Sequence, residues 1–143
     1  TQHQIGCHNI TVVLLYGLPR GSTWPQAATF INDILAFITK SFVFGHSGLV
    51  AIYGDFNISP FELEYFHLWR AAGWLSAQEL MMQRWAHKRA PTCKGATERD
   101  LIWLSPAALS ICDGIHIEDV FSDHSSISVT LDIDESPTTV LTW

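Results

Sequence analysis

The apolar residues of this chain follow two spacings, and each spacing predicts a different element. Residues 9–17 (NITVVLLYG) are β-branched or apolar at nearly every position, which predicts an interior strand covered on both faces. Residues 48–53 (GLVAIY) predict a second strand of the same kind. Between them, apolar residues recur every three to four positions and predict a long helix with one buried stripe: Phe30, Ile31, Ile34, Leu35, Ile38 and Phe42. This order is typical of parallel strands joined by a helical crossover.

The rest of the chain continues the alternation of strands and helices. The elements expected after the second strand are a helix to about Ala72, a short strand at 74–77, irregular chain to Lys94, a strand at 99–104, a short helix at 106–112 and a strand at 114–120. Alternating apolar and polar residues at 125–133 are expected to close the sheet. The predicted fold class is therefore α/β, with one mixed β-sheet and helices on one face. We expect 1–133 to form one folded unit and 134–143 a loose tail.

Composition and charge narrow the classes of function. The chain has 143 residues, which suits a single domain, and 48% of them are hydrophobic. A net charge of −6 argues against the broad basic surface that holds nucleic acid without sequence preference. Cys7, Cys93 and Cys112 have no CxxC spacing, which favours buried thiols in a reducing compartment such as the nucleus or cytoplasm. The longest apolar run is far shorter than the roughly 20 residues of a membrane helix, so no span is predicted.

Three polar pairs lie at the ends of predicted strands or in the adjoining loops. They are Asp55 with Asn57, Arg99 with Asp100, and Asp123 with His124. Taken singly, the first is typical of an Asx turn and the last of a surface loop. In open α/β sheets, however, ligands bind beyond the carboxyl ends of strands. Carboxylates, an amide and an imidazole brought together there would suit a hard cation and a phosphate.

These pairs stand in motifs that resemble the endonuclease/exonuclease/phosphatase superfamily. The motifs are Gly54-Asp55-Phe56-Asn57, Arg99-Asp100-Leu101-Ile102-Trp103-Leu104-Ser105-Pro106 and Ser122-Asp123-His124-Ser125, with Tyr16 ahead of Pro19 after a core strand. The superfamily includes apurinic endonucleases, deoxyribonuclease I, sphingomyelinases and the endonuclease domains of retroelements. The Ser-Pro pair after the Ile-Trp strand looks most like the retroelement type. The resemblance implies half of a four-layered α/β sandwich, the deoxyribonuclease I-like fold.

The resemblance also implies a catalytic role for four residues. Asp55 would orient or deprotonate the attacking water, and Asn57 would hydrogen-bond the charge that develops on the phosphorus oxygens. His124 would contact the scissile phosphate. Asp100 would hold the ring of His124 through its N–H, which selects one tautomer. A structure in which His124 and Asp100 could not form a hydrogen bond would overturn this interpretation.

Tyr16 would be a fifth catalytic residue, because its hydroxyl would donate to a phosphate oxygen. Three further residues receive binding roles from the same resemblance. Asp123 would help to bind Mg²⁺. Arg20 or Arg99 would add a charged contact to the phosphate. Lys88, Arg89 and Lys94 form a separate basic concentration, for which a solvated loop and a contact to a nucleic-acid backbone both remain open.

The early asparagine and the metal-binding glutamate of the superfamily have no counterpart here. The fifteen residues before Tyr16 contain no glutamate, so we expect the C-terminal half of such a domain, in which Mg²⁺ binding is weak or absent. One sheet face would then be bare unless the missing half or a second chain covers it. Two functions follow: a Mg²⁺-dependent phosphodiester hydrolase, expected to be a retroelement-type DNA endonuclease that binds DNA, or a catalytically incomplete subunit of a larger complex.

Overall fold

The structure is a computed structural model that describes residues 1–5, 8–18, 24–45, 48–59, 63–93, 97–119, 123–133 and 139–142. Its strands are β1 (Gln2–Ile5), β2 (His8–Tyr16), β3 (Leu49–Asp55), β4 (Leu75–Ser76), β5 (Asp100–Leu104), β6 (Cys112–Asp119), β7 (Ser125–Leu131) and β8 (Thr139–Thr142). Its helices are α1 (Pro25–Ile38), α2 (Tyr65–Ala71), α3 (Ala77–Trp85) and α4 (Pro106–Ser110), and a π-helical turn, Thr39–Val43, extends α1. None of the helices in these ranges is both long and apolar enough to cross a bilayer.

A five-stranded mixed sheet with α1 and α2 on one face forms the centre of the fold. Its strand order is β1-β2-β3-β5-β4, and only β2 and β3 are parallel. Helix α1 connects these two parallel strands, as the sequence pattern predicted. The stripe of α1 and the aromatic side of α2 pack on this face, and the largest buried residues of that layer are Ile31, Leu35, Ile52, Phe66, Trp69 and Trp103. The α/β class and the mixed sheet are therefore confirmed.

The strands near the C-terminus form a second sheet instead of closing the first. Its order is β6-β7-β8, and all its pairs are antiparallel. Alternate residues of β7 meet the first sheet on the face opposite α1 and α2: Ile127, Val129 and Leu131 pack with Ile10, Val12 and Ala51. Helices α3 and α4 add buried residues to this same cluster, so the prediction that all helices lie on one face was wrong. The prediction of a single sheet was also wrong, because β4 already pairs with the edge of β5 that faces away from β3.

The last described residues also differ from the sequence prediction. Thr139–Thr142, expected to belong to a loose tail, form β8 and pair with β7. Their β-branched residues suit a strand, and the pairing satisfies backbone groups that the edge of β7 would otherwise expose. Residues 134–138, the other part of the predicted tail, lie outside the described residues.

Helix α3 occupies a segment for which irregular chain was predicted. Ser76 caps it by accepting a hydrogen bond from the backbone of Glu79, whose carboxylate in turn accepts one from the backbone N–H of Ser76. This reciprocal capping box is visible in the sequence as Ser-x-x-Glu, so a local signal for the helix was present. The helix ends at Ala86, which has a left-handed conformation.

The second sheet covers only part of the first sheet's other face. Ile10 and Val12 on β2 are buried beneath it, but Leu14 and Tyr16 on the same side of the strand are 55% and 67% exposed. The expected bare face is thus reduced to the C-terminal end of β2. That end is also where the polar residues of the candidate site lie.

Candidate active site

Three predicted site residues form a row across the mixed sheet. Tyr16 is in register with Asp55 across the parallel strands, and Asp55 is in register with Asp100 across β3 and β5. Parallel strands end at the same edge of a sheet, and β5 runs in the opposite direction, so its first residue lies at that edge. Asp55 and Asp100 are buried, whereas Tyr16 is exposed. Residues more than 80 positions apart in sequence therefore meet at one edge.

Close backbone approach positions this row. A Cβ on Gly54 would lie 1.7 Å from the carbonyl oxygen of Leu15, and a Cβ on Gly17 would lie 2.2 Å from the carbonyl oxygen of Phe56. Only glycine permits such contacts, and they bring the end of β2 against the loop after β3. The backbone N–H of Gly17 donates to the carbonyl oxygen of Asp55 over 2.6 Å.

Asn57 holds the carboxylate of Asp55 from two sides. Its backbone N–H donates to Oδ1 of Asp55 over 2.9 Å, and its Nδ2 donates to Oδ2 over 2.9 Å. The same Nδ2 donates to the carbonyl oxygen of Gly17 over 3.1 Å. Asn57 has a φ of 54°, a left-handed conformation that asparagine tolerates better than most residues. Both hydrogens of its amide thus contact the protein, which makes Asn57 a positioning residue for Asp55 in this structure.

His124 lies beside Asp100, as the sequence predicted. Its Nδ1 is 2.8 Å from Oδ2 of Asp100, and the side chains are 41% and 3% exposed, respectively. The other ring nitrogen, Nε2, is 3.9 Å from Sγ of Cys93. The carboxylate fixes the orientation of the ring, and the exposed side of the imidazole is open to solvent.

Thr92 joins the two segments that carry Asp100 and His124, and sequence reasoning missed it. Its buried hydroxyl accepts from the backbone N–H groups of Arg99 and Asp100 over 3.1 and 3.0 Å and donates to the carbonyl oxygen of Asp100 over 3.3 Å. Its carbonyl oxygen accepts from the backbone N–H of Ser125 over 2.8 Å. No local pattern signals this role, because the partners are distant in sequence and meet only in the folded chain.

The carboxylates make the centre of the site electrostatically unfavourable for negative charge. Burial raises the pKa of Asp55, and the neighbouring charge of Asp100 raises it further. The hydrogen bonds from Asn57 and the charge of His124 act in the opposite direction without cancelling the rise. A cation placed between the two carboxylates would relieve their repulsion.

The donor atoms present fit a bound cation. One ligand atom from each of Asp55, Asp100 and His124 lies within 4.8 Å of the others. Two adjacent carboxylates match the oxygen ligands that Mg²⁺ prefers, while the imidazole suits softer ions better. Asp123, the predicted metal ligand, is exposed next to His124 and does not belong to this group. Its role in metal binding stays a prediction.

The cationic residues predicted to contact a phosphate are Arg99, Arg20 and those of the basic loop. Arg99 is half-buried just before β5, and its carbonyl oxygen accepts from the backbone N–H of Phe56 over 2.9 Å. Arg20 lies outside the described residues. In the basic loop, Arg89 forms an ion pair with Glu98, which partly offsets its charge. The phosphate contacts of these residues stay predictions.

Comparison with known proteins supports the fold. No protein-family model matches the chain, and no curated protein matches its sequence. The 3'-5' exonuclease NExo from Neisseria meningitidis superposes with a TM-score of 0.66 and 16% identity, over 85% of this chain and 61% of NExo. A Neisseria NExo structure described as a 3' phosphatase bound to product DNA hairpin gives a TM-score of 0.67 and 15% identity, over 92% of this chain and 64% of that one.

This chain has a deoxyribonuclease I-like α/β fold. The human Nocturnin catalytic domain with bound sulfate is also similar, with 19% identity over 94% of this chain and 46% of Nocturnin, and a TM-score of 0.47. At these identities the similarity concerns the fold alone. The chain spans about three fifths of the NExo chains that it matches.

Proposed function

We propose that this chain carries part of the active site of a metal-dependent phosphodiester hydrolase that cuts DNA. The observation that supports the proposal best is the 2.8 Å contact between His124 and Asp100, directly beside Asp55 in the same row of the sheet. An oriented imidazole next to a buried carboxylate pair suits in-line attack of water on a phosphodiester. The 3' phosphatase NExo, which has this fold, was solved with a DNA hairpin.

In this proposal Asp55 acts on the attacking water. The two hydrogen bonds from Asn57 hold the oxygens of Asp55 in place, so that the carboxylate can orient the water. His124, held by Asp100, contacts a phosphate oxygen through its other nitrogen. Tyr16 stands at the exposed end of the row, from which its hydroxyl can donate to the substrate.

Mg²⁺ is the proposed metal, with Asp55 and Asp100 as the side chains that would hold it. When bound, it would neutralise charge on the phosphate. Two side-chain carboxylates supply only part of the oxygen ligands that Mg²⁺ takes, so we expect weak binding by these residues. The retroelement-type subclass rests on Ser105-Pro106, and in this structure Ser105 caps α4. We therefore propose the retroelement-type subclass from the sequence resemblance alone.

The test is cleavage of supercoiled plasmid and of abasic duplex DNA with Mg²⁺. It should use the chain both alone and within the longest natural polypeptide that contains it. Where cleavage is measured, Asp55→Ala and His124→Ala are each expected to lower the rate by about 10²-fold or more. His116→Ala is the matched control, since His116 is an exposed histidine on β6 that pairs with Glu118. Cleavage that persists unchanged in Asp55→Ala would refute the proposal.

A second function, an incomplete subunit within a larger complex, is favoured by the exposed end of β2. Leu14 and Tyr16 leave apolar surface beside the candidate site, and another chain segment or a second chain would cover it. This alternative predicts no hydrolysis and an interface above about 2,000 Å². Hydroxyl-radical labelling of the purified chain and of the natural assembly would distinguish the two, because a covering partner would protect the exposed side chains of Leu14 and Tyr16.

A further inference from the structure

Cys93 stands opposite the ring nitrogen of His124 that does not face Asp100. Its Sγ lies 3.9 Å from Nε2, and the residue is 7% exposed. The two backbones also approach each other through a β-bridge between Cys93 and His124. No catalytic step described above uses this thiol, and its buried position beside a functional imidazole requires a separate explanation.

The contact with Asp100 determines which nitrogen can act as a ligand. With Nδ1 donating its hydrogen to Oδ2 of Asp100, a neutral ring has its lone pair on Nε2, on the side of Cys93. Histidines that bind metal commonly donate their other N–H to a carboxylate in this way, which fixes the ring and makes it more basic. The hydrogen bond with Asp100 therefore orients His124 both for binding a metal ion and for contacting a phosphate.

The distance between sulfur and nitrogen suits one shared tetrahedral ion. Zn–S bonds of about 2.3 Å and Zn–N bonds of about 2.0 Å place two ligands of one tetrahedral zinc about 3.5 Å apart. The observed 3.9 Å requires only a small movement. A thiolate and an imidazole favour Zn²⁺ and similar ions over Mg²⁺, which prefers oxygen ligands.

We propose that Cys93 and His124 form a binding site for a thiophilic divalent cation such as Zn²⁺, with Asp100 as the positioning residue and water in the other positions. The backbone of Cys93 is fixed before an ion binds, because Cys93 exchanges backbone hydrogen bonds with Thr97 over 2.9 and 3.1 Å. The exposed side of His124 provides access for the ion.

Occupancy of this site would change the role of His124. A ring nitrogen bound to a soft ion cannot contact a phosphate, so Zn²⁺ would inhibit the hydrolase described above by removing one of its groups. This consequence rests on the proposed function. The binding site itself does not, because it depends only on the contact between Cys93, His124 and Asp100.

Cobalt is the probe for the test, because a cobalt–thiolate bond gives a near-ultraviolet charge-transfer absorption. The reduced, metal-free chain is titrated with Co²⁺ without DNA, and one equivalent is expected to produce the band. Zn²⁺ should abolish the band, and a large excess of Mg²⁺ should not. The band should be lost in Cys93→Ser and in His124→Ala but kept in Cys112→Ser and Cys7→Ser.

Two measurements keep this test decisive. Far-ultraviolet circular dichroism must match the parent in each variant, and Cys93→Ala replaces Cys93→Ser if that variant does not fold. Asp100→Asn should weaken Co²⁺ binding by about 10- to 100-fold while the band remains, as expected of a residue that acts through the ligand. Absence of the band in the parent, or its survival without Cys93, would overturn the metal site whether or not the chain cleaves DNA.

Discussion

Asp55 and Asp100 are directly paired residues of the antiparallel strands β3 and β5, and both carboxyl groups are buried. Two acidic groups in such a position repel each other when both are charged, and burial adds a cost for each. Two neighbours limit that cost, because Asn57 donates to Asp55 and His124 contacts Asp100, while the Thr92 hydroxyl accepts from the backbone N–H of Asp100 and holds the start of β5. The arrangement costs stability, which is consistent with the proposed active site.

The first prediction concerns the pH dependence of stability in the presence of a chelator. Because the folded-state pKa of Asp55 is raised above its ordinary value of 3.8, the folded state favours the protonated form. The stabilisation from Asp55 is therefore full below the unfolded-state pKa and is lost as the pH rises through the folded-state pKa. Relative to Asp55→Asn, the parent should lose unfolding free energy as the pH rises above the ordinary value of 3.8.

Urea unfolding of the parent and of Asp55→Asn across this pH range measures the effect. The other carboxyl groups are common to both proteins, so the difference reports Asp55 together with its interaction with Asp100. Asp55→Asn also weakens a hydrogen bond from Asn57, but that loss does not vary with pH in the same way. A difference in unfolding free energy that stays constant with pH would contradict the prediction.

The second prediction concerns the tautomer of His124. In the parent, the neutral ring should carry its hydrogen on Nδ1, because Oδ2 of Asp100 accepts it at 2.8 Å. Asp100→Asn removes the charge of the acceptor and should shift the ring toward a mixture of tautomers. The ¹⁵N shifts of the imidazole report this directly. His116, which contacts Glu118 on β6, is the control and should keep its signals.

The third prediction concerns Gly54, the residue of β3 that lies against Leu15 of β2. In Gly54→Ala the added Cβ would meet the carbonyl oxygen of Leu15 at 1.7 Å, so the strands must separate. We expect a loss of at least about 3 kcal/mol in unfolding free energy. Gly114→Ala is the matched control, since its Cβ would lie 3.8 Å from the Cβ of Thr130 and should change stability by less than about 0.5 kcal/mol. Equal urea midpoints for the two variants would show that the close approach is not required.

The fourth prediction concerns the serine that links β5 to α4. Oγ of Ser105 accepts from the backbone N–H groups of Val50 and Ala108 over 3.0 and 3.3 Å and donates to the carbonyl oxygen of Gly48 over 3.0 Å. Ser105→Ala leaves these buried groups without their partner and should cost about 1–3 kcal/mol by thermal or urea unfolding. Ser110→Ala, at an exposed hydroxyl, should cost less than about 0.5 kcal/mol. Equal losses would indicate that the cap contributes nothing specific.

Much of the central sheet could be predicted from the sequence alone. The strand expected at 9–17 forms at His8–Tyr16, and the strand expected at 48–53 forms at Leu49–Asp55. The helix between them buries Ile31, Leu35 and Ile38 of the predicted stripe, whereas Phe30 is 44% exposed. These elements depend on the spacing of apolar residues along the chain, which can be read from the local sequence. The motif resemblance also predicted that His124 and Asp100 would be neighbours, although their roles in catalysis remain predictions.

Only the tertiary structure determined how the later strands pair and which side chains surround Asp100 and His124. Alternation in β7 indicates a strand with one buried face, but not that β7 pairs with β6 and β8 and packs that face on the first sheet. The Ser-x-x-Glu signal for α3 was visible and was missed. The contacts of Thr92 and Cys93 had no signal at all. Short-range periodicity determines an element's type, whereas its partners depend on edges and faces that exist only once the whole chain has folded.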